Sequence, residues 1–147
     1  MNKNGGTTYL ELLSPAKDLM SGKLAVLSGA DAVYIGGPDF SARQMAGNSW
    51  EDIGALCAFA HTYYAKVFLT VNTIFFDGEE ERVQSTLDKA YQSGADALII
   101  QDTGILKLDL PPIPLIASTQ CNNYRTDHIK FLRDTGFTRV ILARELS

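Results

Sequence analysis

A chain of 147 residues, 46% hydrophobic and 20% charged, can bury one core, which excludes disordered and fibrous classes. Its net charge of −4 speaks against a general nucleic-acid-binding surface, leaving only a local basic site formed by Arg43, Arg125 and Arg144. No apolar run approaches the ~18 residues of a spanning helix, Met1 to Thr8 lacks the apolar stretch of a secretory signal, and two cysteines make neither a disulfide scaffold nor a metal-ligand spacing, so a cytoplasmic protein is expected.

Residues 1–8 read as a disordered tail and 9–147 as one domain. Tyr9 to Leu13 is the first expected strand, closed by Ser14-Pro15-Ala16 because proline cannot continue a central ladder. Leu19, Met20, Leu24 and Leu27 recur at helical spacing from Asp18 to Ser28, and Gly29 ends that helix. A strand follows at Ala32 to Ile35. After Gly36-Gly37-Pro38 and a polar loop, Ser49 and Asp52 form a variant capping box. The helix they open carries Ile53, Leu56, Cys57, Ala60 and Tyr64 on one stripe.

Lys66 to Asn72 is β-branched and apolar on both parities, as in a strand buried on both faces. An acidic start, Glu79-Glu80-Glu81, opens a helix to Ser93 and suits the positive end of its dipole. Ala97 to Gln101 is the fourth strand, Thr103 to Lys107 a short helical segment, and the prolines at 111, 112 and 114 impose an extended approach to a fifth strand, Leu115 to Ser118. Thr126 is the expected cap of a helix over Ile129, Phe131 and Leu132. Gly136 ends it, and Arg139 to Ala143 is the sixth strand.

One pattern recurs along this path. Gly29-Ala30-Asp31 precedes Ala32-Val33-Tyr34-Ile35, Gly94-Ala95-Asp96 precedes Ala97-Leu98-Ile99-Ile100, and Gly136-Phe137-Thr138 is a weaker echo. Each reads as a helix stopped by glycine and followed by a buried parallel strand. Parallel strands need crossover helices, so the class is α/β: a TIM-barrel-like (β/α) fold truncated to about six parallel strands, or a doubly wound parallel sheet. The abrupt end after the sixth strand favours the truncated barrel. Unpaired strand edges then lead to an expectation of self-association.

Both architectures place their sites where strands end. Ser14, Gly36-Gly37, Asn72, Gln101-Asp102, Ser118-Thr119-Gln120 and Arg144-Glu145 supply polar tails there, which either form a site or merely mark strand ends. Asp102 suits a general base, a metal ligand or a helix cap; Arg144 and Glu145 suit an anionic substrate or a solvated rim. His61 reads as structural, His128 as exposed, Cys57 as core, and Cys121 as the thiol nearest the proposed site.

At several of these segments the chain resembles the collagenase-like peptidases of family U32. The matching pieces are Glu11 to Ala16, Gly29 to Gly36, Phe40 to Arg43, Thr70 to Thr73, Ala97 to Asp102, Ala117 to Gln120 and Val140 to Ser147, in order. The resemblance implies the N-terminal part of a TIM-barrel-like domain and, by the family's name, proteolysis. It implies as alternatives part of an iron–sulfur-dependent hydroxylase of RNA bases or quinone precursors, or a non-catalytic binding module. A peptide or RNA substrate is the expected partner, with no membrane. No cofactor is expected in this stretch, because the cluster cysteines of longer members lie beyond it. Glu11, Arg43, Asn72, Gln101, Asp102, Gln120, Arg144 and Glu145 match site-edge motifs and are expected to bind substrate; no nucleophile is named.

Overall fold

Each glycine-led segment folds as a helix end followed by a strand, with Gly29, Gly94 and Gly136 at φ 97°, 85° and 107°, the left-handed region that glycine enters without steric cost. Two residues after each glycine, a polar side chain ties the new strand to the one before it. Asp31 Oδ2 accepts the Leu12 N–H at 2.7 Å, Asp96 Oδ2 accepts the Val67 N–H at 2.7 Å, and the Thr138 hydroxyl donates to the Leu115 carbonyl at 3.1 Å. The repeat is therefore a device for strand registration. The echo keeps the device and reverses the direction of the hydrogen bond.

The computed structural model describes residues 10–42 and 47–146. Its elements are β1 (Leu13–Ala16), α1 (Leu19–Leu27), β2 (Ala32–Gly36), α2 (Trp50–Thr62), β3 (Lys66–Val71), α3 (Glu80–Gln92), β4 (Ala97–Ile100), β5 (Leu115–Ala117), α4 (Thr126–Asp134) and β6 (Phe137–Val140), with 3-10 turns at Thr103–Lys107 and Thr119–Cys121. All six strands are parallel and lie in chain order, β1-β2-β3-β4-β5-β6.

That order decides between the two expected architectures. A doubly wound sheet reverses its strand order and carries helices on both faces. Here Val33, Ile35, Val67, Leu69 and Leu98 share one core with helix residues such as Leu56, Val83 and Leu132. Among the described residues, the other face, with Ala32, Phe68, Ala97, Ile99 and Ile116, packs on itself and on Leu13, Tyr34 and Ile141. Helices on one face and a self-packing inner face make the curled sheet of a TIM-type barrel.

Several boundaries differ from the sequence pattern. β1 runs over Leu13–Ala16 rather than ending at Leu13, and among the described residues it pairs with β2. Leu10 and Leu12, taken for strand residues, are 83% and 58% exposed. β6 likewise starts earlier, at Phe137, and ends at Val140 after a register shift opposite Leu115 and Ile116. α1 buries Gly22 and Val26 and leaves Met20, Leu24 and Leu27 exposed. Gly22 is the contact point with α2, since a Cβ there would stand 2.8 Å from the Leu56 methyls.

The α2 stripe is buried as expected at Ile53, Leu56, Cys57 and Ala60, but Tyr64 lies past the helix at φ 60° and 97% exposed. Ser49 and Asp52 form the expected capping box, and Asp18 and Ser21 form a second one on α1. Thr126 is the first residue of α4 rather than its cap, which falls on Arg125 without a side-chain bond. The expected tail at 1–8 and Arg43 lie outside the described residues. Among the described residues, no helix is long and apolar enough to cross a membrane.

Candidate functional site

Side chains alternate along a strand, so every second residue of this sheet points to the barrel interior. On β2 these are Ala32, Tyr34 and Gly36; on β3, Phe68, Thr70 and then Asn72; on β5, Ile116 and then Ser118. The upper members line a cleft of about 320 Å³ at the C-terminal ends of the strands. Its apolar floor comes from Leu13, Tyr34, Ile99 and Ile141, and its walls from Thr70, Asn72, Ser118, Thr119, Gln120 and Arg144.

The walls are held by specific bonds. Ser41 Oγ lies 2.9 Å from Thr70 Oγ1 in a buried pair, which pins the loop after β2 to β3. The Ala42 N–H donates to Asn72 Oδ1 at 3.0 Å, fixing the orientation of that amide and leaving its Nδ2 directed elsewhere. Ser118 Oγ accepts the Gln120 N–H at 3.2 Å and shapes the turn that presents Thr119 and Gln120. Below that turn, fully buried Asn123 donates from Nδ2 to the carbonyls of Ser118 at 2.7 Å and Ile141 at 2.8 Å, joining the tails of β5 and β6. Arg144 stands at the rim, exposed.

Of the expected site residues, Asn72, Gln120 and Arg144 meet in this cleft. Glu11 does not. It precedes β1, at the N-terminal end of the barrel, where its carboxylate takes both guanidinium nitrogens of Arg139, the second at 3.2 Å. Arg139 also lies 5.4 Å from the centre of the Phe68 ring, and the carboxylate raises its pKa further. Asp102 serves as a cap, accepting the Gly104 N–H at 2.8 Å and the Phe75 N–H at 3.4 Å. Gln101 is half-buried outside the cleft lining, and Glu145 is exposed outside it. Tyr34, Ser41 and Thr70 are absent from the expected site residues; parity with Gly36 and Asn72 marks Tyr34 and Thr70, whereas Ser41 lies in a loop.

Outside the mouth, Arg125 is engaged by Asp127 at 3.0 and 2.6 Å, so its charge is neutralised locally. Exposed His61 pairs through Nε2 with Asp96 at 2.9 Å, a structural contact. His128, expected at the surface, is half-buried with a solvent-free Nε2 that has no partner among the described residues.

An iron–sulfur cluster, the cofactor that the resemblance implies for longer members, does not fit the described residues. Such clusters are held by about four thiolates, and the chain has two cysteines. Burial pushes the Cys57 thiol up to about 12, which keeps it protonated. Cys121 is raised for the same reason and donates to the carbonyls of Ile100 at 3.3 Å and Gln101 at 3.2 Å.

Six parallel strands in sequence order, helices on one face and a polar cleft at the strand C-termini define a β/α domain of the TIM-barrel type. Residues 17–147 match Peptidase family U32, and the chain belongs to that family. The 23S rRNA 5-hydroxycytidine C2501 synthase of Escherichia coli is 57% identical over 138 residues, covering 94% of this chain and 21% of the synthase. The tRNA hydroxylation protein P of Helicobacter pylori is 38% identical, covering 94% of this chain and 34% of that protein. The collagenase of Porphyromonas gingivalis is 27% identical, again over 34% of its length. The chain thus spans between about a fifth and a third of these relatives. The solved structure of the U32 peptidase Mk0906 superposes with a TM-score of 0.69 at 11% identity, covering 97% of this chain and 62% of that one, which shows the shared fold.

Proposed function

We propose that this chain is the barrel part of an RNA-base hydroxylase and that the mouth cleft receives the base, on ribosomal RNA in the cytoplasm. The observation that carries this reading is the identity of 57% with the ribosomal RNA hydroxycytidine synthase, about twice that with the collagenase. The cleft is compatible with it. Serine or cysteine proteolysis needs a nucleophile beside a base, whereas the Ser41 hydroxyl is engaged by Thr70, the Ser118 hydroxyl by a backbone N–H, and no histidine is among the described lining residues. In this reading the chain's own residues bind and orient the base, and Arg144 meets the RNA backbone.

Deleting the gene that encodes this chain and digesting 23S rRNA to nucleosides for mass spectrometry tests the reading. Loss of 5-hydroxycytidine, restored by a plasmid copy, is the expected result. An unchanged level in the deletion strain would show that the chain serves another reaction.

A further inference from the structure

We infer that the mouth cleft takes a single unpaired pyrimidine of RNA turned out of its stack, with the amides of Asn72 and Gln120 bonding to its pairing edge. This rests on the function proposed above and adds the substrate form and the residues that recognise it. Size comes first. At about 320 Å³ the cleft formed by the described residues lies at the small end of ligand sites and has room for one nucleotide. A base inside a duplex cannot enter such a space, so it must be unpaired or extruded.

The chemistry of the lining points the same way. A flat base is gripped by apolar and aromatic surface on its faces and by hydrogen bonds on its edge. The cleft offers Tyr34, Ile99 and Ile141 for the faces. For the edge it offers neutral groups, and no carboxylate is among its described lining residues. Because Asn72 Oδ1 is occupied by the Ala42 N–H, the Nδ2 donors of that amide are what remains for a ligand. The Gln120 side chain makes no bond among the described residues and supplies one acceptor and one donor group. Cytosine presents an exocyclic amine donor and two acceptors, N3 and O2. Gln120 Oε1 suits the amine, Gln120 Nε2 suits N3, and Asn72 Nδ2 suits O2. Uracil fits the same pair after Gln120 turns its amide over, so the pair recognises pyrimidines as a class. Arg144, the lining cation, sits at the rim where the phosphate of a turned-out nucleotide remains.

Fluorescence anisotropy with labelled RNA hairpins tests this on the protein and three variants. The hairpins carry one loop cytidine, an abasic residue there, or the cytidine paired within the stem. Asn72→Asp keeps the acceptor for Ala42 and removes the donor, so it separates recognition from folding. Asn72→Asp and Gln120→Ala are each expected to weaken binding of the loop cytidine about tenfold, the size of one edge hydrogen bond, without altering the abasic hairpin. Arg144→Ala is expected to weaken all three RNAs alike and to lower the salt dependence by about one phosphate contact. Equal affinity for cytidine and abasic loops, wild-type binding by both amide variants, or no RNA binding at all would overturn the inference. Plasmid copies of the variants in the deletion strain separate the two proposals. If the deletion abolishes 5-hydroxycytidine while Asn72→Asp and Gln120→Ala restore it fully, the function stands and this recognition scheme falls; if the deletion changes nothing, the function falls and the anisotropy alone judges the cleft.

Discussion

Gly36→Ala places a methyl group at the point where the cleft wall is most tightly built. A Cβ on Gly36 would stand 2.4 Å from Ser41 Oγ and 3.2 Å from Ser41 Cβ. Ser41 is 2% exposed and bonded to Thr70 at 2.9 Å, so its hydroxyl cannot turn toward water. Relief requires breaking that bond, and breaking a buried hydrogen bond from one end costs about 1–3 kcal/mol. Alanine returns about 0.4–1 kcal/mol by restricting the unfolded chain. The net expectation is a loss of about 1–2 kcal/mol, or roughly 2–8 °C in Tm for a chain of this size. Urea unfolding of the single and double variants gives the sharper check. Ser41→Ala alone should cost about 1 kcal/mol, because Thr70 keeps only its longer contact to the Ile35 carbonyl at 3.4 Å. With the hydroxyl already gone, Gly36→Ala meets less obstruction. The double variant should therefore lose about 1 kcal/mol less than the sum of the two. Additivity within about 0.3 kcal/mol would refute the steric account.

Asn123→Ala removes one buried and one part-buried hydrogen bond and should destabilise by about 2–4 kcal/mol in urea; a change under about 1 kcal/mol would mean that Asn123 does not clamp the β5 and β6 tails. Cys57 gives a pH signature: its folded thiol is raised to about 12 from an ordinary 9.0, so the native state retains a proton that the unfolded chain releases. The stability it contributes is full below pH 9.0 and declines as pH rises from there toward 12, so urea midpoints of the parent should fall more steeply than those of Cys57→Ala; equal slopes would contradict this. Met20, Leu24 and Leu27 form a stripe on α1 that is 74%, 64% and 60% exposed, and a second copy of the chain is expected to cover it. Sedimentation velocity should show association that grows with concentration and is weakened by Leu24→Glu; a monomer throughout would dismiss it.

The central strands were legible because a strand buried on both faces leaves a short continuous apolar run, and β2, β3 and β4 each carry one. The edges were not. β1 holds Pro15 inside the strand, and which backbone groups a ladder uses is a property of the sheet, not of the segment. α1 misled for a related reason: Leu19, Met20, Leu24 and Leu27 have helical spacing, yet close approach at Gly22 decides which face is buried, and a glycine leaves no apolar signal.

For the site, parity carried most of what could be read. A strand whose inward residues are known predicts that the next residue two places on also faces inward. Thr70 thus leads to Asn72 and Ile116 to Ser118, both in the cleft. Ile99 leads equally to Gln101, which lies outside it. The difference is where the chain leaves the ladder. After β4, Asp102 binds the Phe75 and Gly104 N–H groups and turns the backbone into the 3-10 segment, whereas Asn72 is itself bonded by the Ala42 N–H and stays at the mouth. Glu11 shows the complementary limit. A conspicuous acid near a strand carries no mark of which end it stands at, and only the pairing of Leu13 with Ala32 places Glu11 before the strand begins, where the side chain of Arg139 reaches it. Side-chain direction is thus local and written in the spacing, while the length over which a strand keeps it is set by hydrogen bonds from segments far away in the chain.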